Sequence, residues 1–176
     1  MSRIQILKQS ITHGGTDIMV NAANSALQEG SGVCGAIFRA AGEEELQKAC
    51  NEIGYCHNGD AVITPAFKAN AKYIIHTVGP IWYDGKHHEP QDLYSCYRES
   101  LDLARDRQCH SISFPLISAG IFGYPMDKAW HKALQACHDW MDANPNYDMD
   151  IIFCILDDRI IAQGRKEAGN LGISLH

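Results

Sequence analysis

The chain has 176 residues, 45% of them apolar, and a formal net charge of -6. That length suits one domain with one sizeable core, no apolar run approaches the roughly 18 residues that a bilayer-spanning helix needs, and the acidic balance argues against a duplex nucleic-acid binder, which requires a basic face. An anionic small ligand stays open, because backbone N–H groups hold one without leaving a charge signature.

Residues 1–5 lead straight into a strand pattern, not into a charged segment and an apolar signal core, so a cytoplasmic location is expected. Residues 4–7 alternate apolar and polar side chains and predict a first strand. Residues 17–20 form a short strand that runs into Asn21-Ala22-Ala23-Asn24. The glycine-rich segment 30–35 follows and opens a helix over 36–41. Residues 43–53 are helical, with acidic residues in the first turn as the macrodipole prefers. Residues 60–64 and 73–78 are rich in β-branched side chains and predict strands. Segment 85–91, with His87, His88 and Pro90, reads as a surface loop. A long amphipathic helix follows over 91–108, with Leu93, Tyr97, Leu101 and Ala104 on its apolar face. Residues 111–116 predict a strand ending in a second run of small residues, 118–124. Pro125 then opens a helix reaching about residue 144. Residues 149–156 are the last strong strand, and 162–169 a short final helix. This alternation predicts a three-layer α/β fold in a single domain over 1–176.

Two strands thus end in loops of small residues that lead into helices, at 30–35 and 118–123. Anion sites in α/β folds arise this way, since glycine admits a phosphate close to the backbone and a helix N-terminus presents unpaired N–H groups. Two such loops side by side suit a diphosphate; each alone is equally an ordinary turn. Neither is a P-loop or a Rossmann fingerprint, and no G-x-S-x-G elbow or H-E-x-x-H occurs. Asn21 and Asn24 offer donors and acceptors to a ribose, or cap turns. The seven cysteines are odd in number and show no C-x-x-C spacing, so reduced, mostly buried thiols are expected. Cys56 adjoins His57, but no second pair completes a zinc site, and no metal is expected. His76 reads as a core residue, His131 and His138 as one partly exposed helix face. None of the histidines is assigned to catalysis.

The blocks Val20-Asn21-Ala22-Ala23-Asn24-Ser25, Gly30-Ser31-Gly32-Val33-Cys34-Gly35-Ala36-Ile37, Gly59-Asp60-Ala61-Val62-Ile63-Thr64, Ile75-His76-Thr77-Val78-Gly79-Pro80 and Phe114 through Pro125 occur in an order that resembles the macrodomain family, closest to its MacroD-like group. The resemblance implies a mixed central sheet between helical layers, an α/β/α sandwich, and ADP-ribose, free or attached to protein, as ligand, with no cofactor. It places Asn24 on the distal ribose. The diphosphate would lie between Gly32, Val33, Cys34, Gly35 and Ile37 on one side and Ser118, Ala119, Gly120, Ile121 and Phe122 on the other. The adenine would sit near Ser10, Ile11 and Leu156. A monomer is expected.

The sequence departs from that family twice. Ser10 stands where many members carry an adenine-binding aspartate. Cys34 stands where MacroD-like hydrolases carry the aspartate held to position a water. Asn24 and Cys34 are therefore the candidate catalytic positions, with Glu29 either a substitute base or a solvated loop carboxylate. Two functions follow from the resemblance: hydrolysis of ADP-ribosyl esters, on protein carboxylates or in O-acetyl-ADP-ribose, or a reader that binds ADP-ribose without turnover. At the start of a helix, Cys34 is expected to have a lowered pKa and to react with alkylating agents.

Overall fold

The computed structural model describes residues 1–176. Six strands, β1 (Arg3–Lys8), β2 (Ile18–Ala22), β3 (Ala61–Pro65), β4 (Tyr73–Thr77), β5 (Ser111–Phe114) and β6 (Asp150–Ile155), form one sheet in the order β1-β6-β5-β2-β4-β3. Every neighbouring pair is parallel except β3 and β4, which run antiparallel. Helices α1 (Gly32–Ala41) and α2 (Glu43–Ile53) cover one face, while α3 (Glu89–Asp106), α4 (Met126–Ala143) and α5 (Asp158–Leu171) cover the other. This is the expected three-layer α/β/α sandwich with a mixed central sheet.

The two-residue period of the strands builds both cores. Ile18 and Val20 of β2 enter the larger core with Ile4, Ile6, Phe114, Phe153 and Trp130, whereas Met19 between them enters the smaller core with Ile37, Phe38 and Leu46. Strands buried on both faces explain why β2 and β4 read as near-continuous apolar runs.

Three helix starts differ from those expected by two residues or more. Helix α1 begins at Gly32, not residue 36. Its glycines look like breakers, but Gly35 lies against the Gly30 carbonyl, where a Cβ would come within 2.7 Å of the oxygen. Glycine here packs the loop onto the helix instead of ending it. Helix α3 begins at Glu89, with Pro90 tolerated in its first turn. Glu89 itself is 2% exposed and accepts the backbone N–H groups of Tyr83, Asp84, Gly85 and His87. Burial opposes its ionisation, but these donors outweigh burial and hold the carboxyl at about 2. Helix α5 begins four residues before the expected 162, because the Asp157 side chain caps the N–H groups of Arg159 and Ile160.

No helix is long and apolar enough to cross a membrane.

Candidate functional site

Strands β2 and β5 are parallel neighbours, and the chain leaves their C-terminal ends toward opposite faces, to α1 and to α4. Ligand clefts in α/β sheets open at such a divergence. Here the two loops border a cavity of about 390 Å³.

Of the expected site residues, Asn24, Gly32, Val33, Cys34, Ser118, Gly120, Ile121 and Phe122 line this cavity together, joined by Ala22, Ala23, Gly30, Ser31, Pro115 and Leu116. The others do not. Ile37 is 0% exposed in the smaller core, one helical turn beyond the loop, and so is walled off from any ligand. Gly35 is buried against Gly30, and Ala119 packs against the larger core. Ser10 caps a 3-10 turn through Thr12, Ile11 is 5% exposed beneath it, and Leu156 is exposed just past β6. These last three lie farther along the same sheet edge, outside the cavity.

The N–H groups of Gly32, Val33 and Cys34 have no acceptor in the protein, nor do those of Gly120, Ile121 and Phe122. Both triplets line the cavity. The first belongs to the opening turn of α1, where an α-helix leaves its donors unpaired and carries partial positive charge. Ser118 Oγ, in the wall between the triplets, is buried without a hydrogen-bond partner.

The two asparagines separate. Asn21 is 1% exposed and lies behind the cavity lining: its Nδ2 lies 3.0 Å from His76 Nδ1, its register partner on β4. Burial lowers His76 to about 4, so the ring is neutral, accepts from Asn21 at Nδ1 and donates from Nε2 to Thr64 Oγ1. His76 is thus the core residue expected. Asn24 lines the cavity and also closes its own loop, with Oδ1 accepting from Gln28 N at 3.0 Å and Nδ2 donating to Gln28 O at 2.9 Å. One Nδ2 hydrogen and one Oδ1 lone pair remain for a ligand.

The expectation of an activated Cys34 fails. Burial raises its pKa, with help from the charge of Glu29, and outweighs the Gly30 backbone and Asn21 side-chain hydrogen bonds that favour a thiolate. Cys34 is 8% exposed and its sulfur points toward Gln28 O at 3.9 Å. The helix dipole loses to desolvation because the side chain turns inward. Iodoacetamide at neutral pH is therefore expected to label Cys34 more slowly than a free thiol in the same tube, measured by peptide mass. Labelling as fast as the free thiol would show an accessible thiolate.

One residue of the site was not anticipated. Gly79 sits behind the second loop, where a Cβ would lie 2.5 Å from Ile117 Cγ2 and closer still to Ser118 Oγ. Ser118 already holds φ of 67°, an unfavourable region for a side chain, and so has little freedom to yield. Gly79→Ala is expected to cost roughly 1–3 kcal/mol of stability, as overpacking does, and to displace the second triplet. Urea denaturation reads the cost, and an unchanged midpoint would show that the loops do not approach so closely. The sequence signal was the block holding Gly79, next to a strand end.

A family model described as Macro domain matches residues 20–133. The chain is 45% identical over 156 residues to a Macro domain-containing protein of Chlorobaculum tepidum, covering 89% of this chain and 90% of that one. It is 46% identical over 144 residues to an O-acetyl-ADP-ribose deacetylase of Escherichia fergusonii, covering 80% and 81%. Among solved structures it resembles an Oceanobacillus iheyensis macrodomain with ADP, with a TM-score of 0.90, 35% identity and coverage of 96% and 90%. It also resembles a Trypanosoma brucei macrodomain in complex with ADP-ribose, with a TM-score of 0.84, 32% identity and coverage of 93% and 68%.

Proposed function

The chain belongs to the macrodomain family, and from that premise we propose that its cleft binds ADP-ribose and hydrolyses ADP-ribosyl esters. The observation that carries the reading is the pair of unpaired N–H triplets, Gly32 to Cys34 and Gly120 to Phe122, which line one cavity from its two bordering loops. Two phosphates joined by one oxygen need donors from two sides, and backbone donors supply them without lysine or arginine. Asn24 then meets the ribose beyond the diphosphate, and Phe122 lies along it. Ser10, Ile11 and Leu156 border the adenine at the far end. Ser10 offers a neutral acceptor there, weaker than a carboxylate.

In the hydrolytic step, water adds across the ester that joins the distal ribose to an acyl group. The ester C–O bond breaks, and the products are a carboxylic acid and ADP-ribose. None of the side chains that line the cavity is a carboxylate or an imidazole, so the attacking water is oriented by the ligand's own phosphate, which the triplets hold in place. The similarity to a protein named O-acetyl-ADP-ribose deacetylase supports this chemistry. The same lack of an ionised side chain favours a second reading, binding without turnover.

Calorimetry with ADP-ribose and AMP, and single-turnover release of ADP-ribose from an ADP-ribosylated protein, test both parts. ADP-ribose is expected to bind with micromolar affinity or better, and AMP more weakly. Equal affinities would mean that the second phosphate and distal ribose go unrecognised. Tight binding with no release would establish the second reading.

A further inference from the structure

A second hollow, of about 300 Å³, lies beyond the Phe122 end of the cleft. Lys86, Lys128 and Lys132 border it, with Trp82 and Tyr124 as its apolar wall. In a chain of net charge -6 this is a local reversal of sign. None of the three lysines has a carboxylate within ion-pair distance; Asp84, which also borders the hollow, turns to His87 at 2.8 Å, and Glu167 to His131 at 3.0 Å. The hollow is also firmly joined to the cleft. The Trp82 backbone N–H donates to the Phe122 carbonyl at 2.8 Å, and the loop carrying Trp82 and Lys86 is pinned by the buried Glu89 carboxylate. Lys128 Nζ stands 5.6 Å from the centre of the Trp82 ring, which fixes it over the hollow. Ile81 and Ile121, 66% and 92% exposed, form an apolar rim on the two joined loops, next to Trp82 and Phe122 respectively.

We propose that this basic hollow receives an acidic segment of the protein to which the ADP-ribose is attached. The inference rests on the ADP-ribose reading of the first cleft. The chemistry connects the two sites. An ester on a protein carboxylate is formed on Asp or Glu, and stretches rich in those residues bring further carboxylates within a few residues of the linkage. Such a segment, leaving the distal ribose past Phe122, meets three ammonium groups that form no ion pair, one of them donating to Gln135 Oε1, and a hydrophobic rim. A nucleic-acid strand fits less well. The Trp82 ring carries Lys128 over it and packs against Tyr124, with ring centroids 4.7 Å apart, which leaves little of it to stack on a base. The acidic remainder of the surface also repels a long polyanion.

The test uses two synthetic peptides, each with ADP-ribose joined to one side chain through a non-hydrolysable amide in place of the glutamate ester, flanked in one by Asp and Glu and in the other by Asn and Gln. Their binding is compared with that of free ADP-ribose for the wild type, for K86E/K128E/K132E and for the milder K86Q/K128Q/K132Q, each checked by thermal melting. The wild type is expected to prefer the acidic peptide by about tenfold at low salt, as a few exposed ion pairs give, and to lose the preference as salt rises. The glutamine variant removes the preference, the glutamate variant inverts it, and both bind ADP-ribose as the wild type does. A wild type that binds ADP-ribose but treats the peptides alike, or a preference that survives both variants, overturns the inference. So does tighter binding of a single-stranded oligonucleotide bearing a terminal ADP-ribose. Failure of the wild type to bind ADP-ribose at all would instead overturn the reading of the first cleft.

Discussion

Gly32→Glu is expected to abolish ADP-ribose binding while leaving the fold intact. Gly32 opens α1 within the first N–H triplet, and a Cβ there meets no atom within 4 Å, so a larger side chain disturbs no packing. Its φ of 60° adds strain, about 1–2 kcal/mol for a residue with a Cβ. The charge matters more. A carboxylate about 4 Å from a phosphate, at an effective dielectric near 20, is opposed by roughly 4 kcal/mol, close to a thousandfold in affinity. Gly32→Ala separates the two effects, because it carries the strain without the charge. Calorimetry should show affinity near that of the wild type for the alanine variant, whose strain is borne by the free and bound protein alike and reads out as a lower melting temperature, and no measurable binding for the glutamate variant, with both melting cooperatively. Normal affinity in Gly32→Glu would place the diphosphate elsewhere.

Cys34→Asp is the second large effect. Position 34 lines the cavity, and its surroundings already favour an anion through the Gly30 backbone and the Asn21 side chain, although burial and Glu29 prevail against the thiolate. A carboxyl group is far more acidic than a thiol, so the same surroundings leave it largely ionised at neutral pH while desolvation raises its basicity. That combination suits a general base, worth roughly 10²–10⁴-fold in rate. Single-turnover release of ADP-ribose should therefore rise by about that factor in Cys34→Asp. Cys34→Ala should keep most of the wild-type rate, since the phosphate-held water does not use the thiol. An inactive Cys34→Ala beside an active wild type would make the sulfur a participant and end the water mechanism.

The layers and both loops were legible in the sequence because strands with β-branched alternation and glycine-rich exits leave strong local patterns. Helix starts were less so. The opening of α1 at Gly32 depends on Gly35 packing against Gly30, and that of α3 on Glu89 collecting four N–H groups from its own loop. Both are tertiary arrangements of residues that locally read as breakers or solvated charge. In the site, Asn24 and the loops came together as expected, but Ile37 turned into the core, because in a helix that begins at Gly32 it points away from the cavity. Cys34 misled for a related reason: the helix dipole is visible in a sequence, while the depth of a side chain is not.

The pairing of β1 has a consequence for how the protein is made. Its ladder partner is β6, with Arg3 opposite Asp150. At typical synthesis rates of about 5–20 residues per second, β1 waits roughly seven to thirty seconds before β6 exists. During that interval Ile4 and Ile6 lack the strand beside which they are eventually buried. The interspersed Arg3, Gln5 and Lys8 keep the waiting segment from pairing with other nascent chains, as charged residues do on strand edges. β1 is thus made well before its ladder partner and is locked in late. A chain that stops before β6 leaves β1 with no ladder to join.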